Sequence, residues 1–191
     1  MRDIIKMLVV LSGICGIAGF GLSYLKMVTA VPIEEQVLTY VQAPVLKKVF
    51  TDINNNPVAE RKKFKLKDGR VVTIFPAVKS GKLVGIALED KGKGFGGDIS
   101  VMVGINTAND TLIGIGVTTM KETPGIGDVI LAPRFSNQFM GKPMHVGLKK
   151  DGGSIDAVSG ATVSSAGTVL AVANAAKAYA ELKEQIVKAW P

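Results

Sequence analysis

Residues 98–120, DISVMVGINTANDTLIGIGVTTM, hold two apolar runs, 98–106 and 111–120, with a polar stretch between them. Runs rich in Val and Ile that are bounded by Asn and Asp are typical of β-strands joined by a turn. The connection is too short for a helical crossover, so the two strands have to run antiparallel. The centre of the chain therefore predicts an antiparallel meander.

Three segments on the N-terminal side extend this pattern. KLVGIALE, residues 82–89, and RVVTIFPAV, residues 70–78, are predicted to be further strands. RKKFKLKDGR, residues 61–70, alternates Phe and Leu with lysines and ends at an Asp-Gly pair, which predicts a half-exposed strand and a hairpin turn. We interpret this basic cluster as a solvated strand face near anionic headgroups or as a partner surface. Nucleic acid is not expected as a partner.

The C-terminal side of the sequence adds helices. Residues 132–141 are predicted to form a short helix, and residues 144–150 a strand. In residues 164–189 apolar side chains recur at helical spacing, with Lys and Glu over much of the remaining surface. This pattern predicts a long C-terminal helix packed on the sheet, so the predicted fold class is α+β.

One long apolar run lies near the N-terminus. Residues 7–25 carry no charge and are bracketed by Lys6 and Lys26. A helix of this length just spans the hydrocarbon core of a bilayer, so one transmembrane helix is predicted. The alternative is a cleavable signal peptide with its site at VTA, residues 28–30. The retained anchor is favoured because the run is longer than a usual signal-peptide core and Lys26 separates it from that site.

The predicted span divides the chain. Residues 1–6 are predicted to be a cytoplasmic N-terminus, because basic residues before a span favour the inner side of the membrane. Residues 26–60 are predicted to be a membrane-proximal connector, with a short amphipathic helix over 33–42. Residues 61–191 are then predicted to be an extracytoplasmic domain.

The composition limits the chemistry of that domain. The 191-residue chain has a formal net charge of +7, one cysteine, Cys15, and one histidine, His145. Cys15 lies inside the apolar run, so the downstream domain has no disulfide, no thiolate metal site and no cysteine nucleophile. No metal site is predicted.

A group of hydroxylated residues precedes the long helix. Residues 154–168, SIDAVSGATVSSAGT, place Ser and Thr around a Gly-Ala step. The first N–H groups of a helix have no intrahelical partner, and small side chains let an anion approach them. The segment predicts a site for phosphate or another small anion. Plain N-capping by Ser or Thr is the structural alternative.

Three chemistries compete for this segment. A nucleophilic Ser159 or Thr162 needs a base, and His145 has no evident carboxylate partner in the sequence. A nucleotide-binding P-loop is excluded because the GxxxxGK[ST] pattern is absent. A hydroxyl that carries a covalent, phosphate-linked group is the third possibility, which spacing alone does not single out.

Two motifs resemble those of a known family. DAVSGAT, residues 156–162, resembles the acceptor motif of flavin transferase, Asp-x-x-(Ser/Thr)-Gly-Ala-Thr. KETPGIGD, residues 121–128, resembles the Glu-Thr-Pro-Gly-(Leu/Ile)-Gly loop of the same FMN-binding domain. With its single N-terminal span, the chain is similar to the G subunits of Rnf electron transport complexes. It resembles more distantly the C subunits of sodium-pumping NADH:quinone reductases.

The resemblance implies a covalent cofactor and a set of residues around it. Thr162 would be esterified to the phosphate of FMN. Asp156 would be recognised by the flavin transferase. The other implied cofactor-binding residues are Ser159, Gly160 and Ala161 in the turn, Ser164 and Ser165 near the phosphate, and Glu122, Thr123, Pro124, Gly125 and Gly127 beside the isoalloxazine ring.

The resemblance also implies a function. The chain would be the flavin-carrying subunit of a redox-driven ion translocase in the cell membrane, without a complete active site of its own. The whole complex would transfer electrons between ferredoxin and NAD⁺ and move Na⁺ or H⁺. Its other membrane and peripheral subunits would be the partners. The alternative function is a membrane-anchored extracytoplasmic module that binds a ligand or partner without redox activity.

Overall fold

The computed structural model describes residues 2–51 and 53–190. The chain divides into two compact units, Met1–Tyr40 and Val41–Pro191. Each unit is described by itself.

The N-terminal unit is mainly one helix, α1, which spans Arg2–Gln36. No residue of α1 is buried, and the helix is long and apolar enough to cross a membrane. Residues 7–25 lie inside it. Residues 33–42 are helical, as predicted, but they are not one short helix: α1 continues past Pro32 to Gln36 and a π-helix follows at Val37–Gln42. Pro32 cannot donate a backbone hydrogen bond, but the loss of this one bond does not end α1.

The C-terminal unit contains a five-stranded sheet in which each strand pairs antiparallel with the next. This confirms the predicted meander and the α+β class. Apolar residues fill both faces of the central strands, as expected for a sheet covered on both sides. The strands are β1 Lys62–Lys65, β2 Val71–Lys79, β3 Lys82–Lys93, β4 Asp98–Asn106 and β5 Thr111–Thr119.

Helices cover the two faces of this sheet. The short helix α2, Ala43–Val49, packs on β4 and β5. The long C-terminal helix, Thr162–Ala189, lies across β3 and β4, with Val172, Tyr179 and Leu182 buried in the core. The sheet therefore separates two apolar layers.

The segment between β5 and the C-terminal helix is mostly irregular. It contains 3₁₀ turns at Asp128–Leu131, Asn137–Phe139 and Lys149–Asp151 and the short helix α3, Pro133–Ser136, so that the C-terminal helix is α4. The short helix predicted over 132–141 is present as α3 and the turn that follows it. The strand predicted over 144–150 is wrong, since only Leu148 forms a single bridge, with Ile155. The 3₁₀ turn at Lys149–Asp151 ends the extended backbone after Leu148, and a Cβ on Gly153 would overlap the backbone of Gly147 where the chain folds back.

The far end of α4 is attached to the β4–β5 turn by a polar cluster. Tyr179 Oη donates to Asp110 Oδ1 (2.9 Å), and Lys183 Nζ donates to Asp110 Oδ2 (2.5 Å). Burial and the bond to Asp110 raise the pKa of Tyr179. The Lys183 bond, followed by the Tyr179 bond, lowers the pKa of Asp110. These contacts fix the direction in which α4 crosses the sheet.

The packing of α4 on β3 depends on glycine. A Cβ on Gly92 would overlap Gly167 O, whereas a Cβ on Gly114 would meet nothing nearer than Met140 Cγ at 4.0 Å. We expect Gly92→Ala to lower the free energy of unfolding by about 1–3 kcal/mol through overpacking. Gly114→Ala is the matched control and should be neutral or slightly stabilising. Urea unfolding of the full chain in mild detergent, followed by Trp190 fluorescence, measures both. Equal midpoints for the two variants would contradict the packing described here.

Candidate functional site

The helix α4 begins at Thr162 without a side-chain cap. Its N-cap is Ala161, which has no oxygen in its side chain, and no capping hydrogen bond is present. The chain enters through Gly160, whose φ of 80° is in the left-handed region that favours glycine. The plain Ser or Thr cap that the sequence allows is therefore absent. The first N–H groups of α4 and the exposed Thr162 side chain are left at the surface.

The two serines that follow are buried and used within the protein. Ser164 is 2% exposed and donates its hydroxyl to Glu122 Oε2 (2.7 Å). Ser165 is fully buried, and its Oγ accepts a hydrogen bond from the backbone N–H of Val158 (3.0 Å). Ser165 thus holds the preceding loop against the helix. Thr162 is the hydroxyl in the first turn of α4 that faces solvent.

Glu122 connects this helix start to the β3–β4 turn. Its Oε1 accepts a hydrogen bond from the Gly96 N–H (3.2 Å), while its Oε2 accepts from Ser164. Glycines leave the space for this carboxylate, because a Cβ on Gly94 or on Gly127 would overlap its oxygens. Glu122 therefore joins three segments: the β3–β4 turn, the loop after β5 and the first turn of α4.

The loop after β5 is a compact turn. Thr123 O accepts a hydrogen bond from the Gly127 N–H (3.0 Å), and the Gly125 N–H donates to Asp128 Oδ1 (2.7 Å). Gly125 has a φ of 77°, which explains the glycine after Pro124. This geometry directs Thr123 and Ile126 toward the start of α4.

A cleft of about 390 Å³ lies between these segments. Its outer edge carries three exposed apolar side chains: Phe95 is 77% exposed, Ile126 57% and Val163 50%. The volume and the apolar lining are typical of small-molecule sites. The lining residues are Phe95, Glu122, Thr123, Ile126, Gly127, Gly160, Ala161, Thr162, Val163 and Ser164.

Some residues predicted for the site lie elsewhere. Asp156 and Ser159 line a separate cavity of about 430 Å³ beside Arg134. The Asp156 carboxylate pairs with Lys149 Nζ (2.7 Å), and its backbone N–H donates to Gln138 Oε1 (2.7 Å). The structure thus brings Thr162 together with Glu122, Thr123, Gly127, Gly160, Ala161 and Ser164. Pro124, Gly125 and Ser165 do not line the cleft, and Gly125 and Ser165 have the structural roles described above.

The arrangement suits anion binding better than acyl transfer. Free N–H groups and the dipole at a helix start favour negative charge. His145 lines a different cavity, with Asp151, and does not line the cleft that contains Thr162. Among the residues that the structure describes, neither Ser159 nor Thr162 has a hydrogen bond to a basic side chain. The carboxylate that lines the cleft, Glu122, accepts its hydrogen bonds from Gly96 and Ser164, and no hydrogen bond joins it to the Thr162 hydroxyl among the described residues.

Phe95, Ile126 and Val163 are not predicted from the sequence as site residues. Phe95 lies in the stretch GKGFGG, which the sequence marks only as a turn. The signal that could identify Phe95 is a single aromatic residue surrounded by glycines. A stretch of this kind offers no apolar neighbours with which the ring could form a core. Ile126 lies within KETPGIGD, and Val163 directly follows DAVSGAT. A single apolar residue at either position shows no pattern that would identify it as a site residue.

Comparison with known proteins shows what this region is similar to. Residues 94–177, from the β3–β4 turn to the middle of α4, match the family model of the FMN-binding domain. The match includes both motifs and every segment that lines the cleft.

Curated relatives are subunits of ion-translocating oxidoreductase complexes by name. The chain is 38% identical over 111 residues to the G subunit of an ion-translocating oxidoreductase complex of Methanosarcina acetivorans, covering 56% of this chain and 59% of the relative. It is 36% identical over 102 residues to the corresponding G subunit of Pseudomonas aeruginosa, covering 49% and 47%. These relatives confirm the predicted resemblance to G subunits. The chain spans about half to three fifths of their length.

Solved structures agree on the fold. The crystal structure of Shewanella oneidensis NqrC has a TM-score of 0.54 and 25% identity, covering 66% of this chain and 69% of that one. The C subunit of the Na⁺-translocating NADH-quinone reductase from Parabacteroides distasonis has a TM-score of 0.52 and 23% identity, covering 68% and 70%. At that identity the second structure shows the likeness of fold alone.

The bridging role of Glu122 can be tested by substitution. Glu122→Ala leaves the buried Ser164 hydroxyl without its acceptor, so we expect the free energy of unfolding to fall by about 1–3 kcal/mol. Glu122→Gln keeps one acceptor oxygen and should lose less. Thr123→Ala changes a side chain in the same turn that makes no such bridge and should stay within about 0.5 kcal/mol of the parent. Urea unfolding measures all three variants, and equal stability of Glu122→Ala and Thr123→Ala would exclude the bridge.

Proposed function

We propose that Thr162 carries FMN through a phosphoester bond and that the chain is an electron-carrying subunit of a membrane-bound ion-translocating oxidoreductase. The observation that carries this proposal is the exposed Thr162 side chain at the uncapped start of α4, inside the cleft of a region that matches the family model of the FMN-binding domain. The motif that ends in Thr162 supports the covalent attachment.

The residues of the cleft fit such a group. A phosphodiester keeps one negative charge, and the N–H groups and dipole at the start of α4 can stabilise it. Gly160 and Ala161 have no bulky side chain in the way. The Glu122 carboxylate would oppose a second anion, but its oxygens already accept hydrogen bonds from Gly96 and Ser164. The apolar edge suits a flat aromatic ring.

The chemistry of a carrier agrees with what the chain offers. Bound FMN would supply electron acceptance and donation, which the side chains of this domain cannot. Electron transfer of this kind requires no general base, so the carrier role makes no demand on Glu122 beyond its hydrogen bonds to Gly96 and Ser164. The chain's own residues would hold the phosphate at the helix start, fix the ring and limit its contact with water.

The role in a larger complex rests on the relatives. The curated proteins are named as G subunits of ion-translocating oxidoreductase complexes, so we place this chain among such subunits. Its partners would be the other membrane and peripheral subunits, which bind ferredoxin and NAD⁺ and conduct Na⁺ or H⁺. A flavin transferase would move the FMN unit of a flavin adenine dinucleotide to the Thr162 oxygen, with AMP as the leaving group and loss of the hydroxyl proton. This complex would be of the Rnf type.

The position in the membrane is part of the proposal. Residues 7–25 within α1 would span the bilayer, with residues 1–6 in the cytoplasm and residues 61–191 on the periplasmic or extracytoplasmic side. Arg2 and Lys6 before the span support this orientation under the positive-inside rule. A covalent bond would then keep the cofactor on a side of the membrane where free FMN diffuses away.

Peptide mass spectrometry of the protein matured with flavin transferase tests the attachment. We expect the tryptic peptide of residues 151–177 to carry the mass of FMN linked by loss of water. Thr162→Ala should abolish this adduct because the ester oxygen is gone. Thr162→Ser keeps a hydroxyl and should retain part of it.

Ser154→Ala is the matched control, because Ser154 lies in the same tryptic peptide but outside the acceptor motif and lines a different cavity. It removes a hydroxyl from that peptide and should leave the adduct on Thr162. An unmodified peptide in the matured parent protein would contradict the covalent proposal. A protein that also stays colourless with flavin adenine dinucleotide and transferase would instead fit a ligand- or partner-binding module without redox activity.

A further inference from the structure

Phe95 is unusual among the aromatic residues of the C-terminal unit. Phe75, Phe135 and Phe139 are almost completely buried, and Phe64 packs against Trp190 with a distance of 5.9 Å between ring centroids. Phe95 is 77% exposed, at the tip of the β3–β4 turn. Within the described part of residues 41–190, it is the aromatic side chain that remains exposed.

The backbone beneath Phe95 is held tightly although its ring is not. The turn is closed by a hydrogen bond from the Gly94 N–H to Gly97 O (2.8 Å), and the Gly96 N–H donates to Glu122 Oε1 (3.2 Å). A Cβ on Gly94 would overlap Glu122, and a Cβ on Gly96 would overlap Lys121 O. The glycines on both sides of Phe95 therefore let the turn pack closely on the loop after β5. This packing fixes the position of the Phe95 backbone, from which the phenyl ring extends.

This fixed turn places Phe95 at the edge of the Thr162 cleft. Ile126, from the loop after β5, and Val163, from the first turn of α4, line the same cleft and are also at least half exposed to water. Three separate segments thus present exposed apolar side chains toward one space. A flat aromatic ligand in that space would remove this apolar surface from water, which is favourable.

We propose that Phe95 stacks on the isoalloxazine ring of the cofactor and, with Ile126 and Val163, holds that ring in the cleft beside Thr162. This inference rests on the proposed function, since it assigns a contact to the FMN attached there. Aromatic rings attract each other in offset-stacked or edge-to-face geometry, so a phenyl ring adds more here than an aliphatic side chain of similar size. Glu122 contributes indirectly, because it holds the turn that carries Phe95.

Flavin fluorescence in the matured full chain provides the test. Tryptophan in van der Waals contact with a flavin quenches its emission by electron transfer, so Phe95→Trp should lower the emission per bound flavin several-fold and shorten its lifetime. Val71→Trp is the matched control, because Val71 is a similarly exposed apolar residue (61%) on β2 that does not line the cleft. Its flavin emission should equal that of the parent.

A second pair of variants tests the contact without adding a quencher. Phe95→Ala should make the flavin more accessible to iodide quenching and shift its visible absorption band. Phe95→Leu keeps an apolar side chain, so it should restore the protection from iodide in part but not the band position.

The outcomes separate this inference from the proposed function. The peptide adduct is measured on every variant. If FMN is present on Thr162 but Phe95→Trp and Val71→Trp emit equally, and Phe95→Ala leaves iodide access unchanged, the stacking contact is excluded while the attachment stands. If no variant carries FMN, the proposed function itself fails.

Discussion

The Glu122 carboxylate holds together three segments that lie far apart in the sequence. Its two oxygens accept hydrogen bonds from Gly96 and from Ser164, which are 26 and 42 residues away. Gly94 and Gly127 leave room for it, so the carboxylate and these glycines form one packing arrangement. The start of α4, the loop after β5 and the Phe95 turn keep their relative positions through this contact. The cleft exists because these three segments meet.

The structure therefore assigns the glycines of the KETPGIGD motif more than one role. The resemblance implies that Gly125 and Gly127 lie beside the isoalloxazine ring. In the structure Gly125 serves a left-handed turn, and Gly127 makes room for Glu122. The residues of the DAVSGAT motif likewise line two different cavities. Thr162 lines the cleft, whereas Asp156 and Ser159 line another cavity. A linear motif can thus serve two surfaces of the same loop.

Local patterns predict most of the fold. The strand β4 matches its predicted range because an apolar run between polar turns is a local signal, and α4 follows from helical periodicity over many turns. The strand predicted over 144–150 is wrong because pairing needs a partner segment, which the sequence does not reveal. The Glu122 contacts and the exposure of Phe95 cannot be predicted from the sequence for the same reason, since both depend on residues that are distant in sequence. The motifs identify Thr162, but only packing shows what surrounds it.

The central claim is a bond between the Thr162 side-chain oxygen and the phosphorus of FMN. Phosphorus NMR of the matured, denatured polypeptide, freed of unbound flavin, tests it most directly, because a phosphate monoester has a second ionisation at about pH 6 and a diester has none. We predict one flavin phosphorus signal whose chemical shift stays constant from roughly pH 5 to pH 8, and its absence from Thr162→Ala. A signal that titrates like free FMN, or no phosphorus on the polypeptide, would contradict the account.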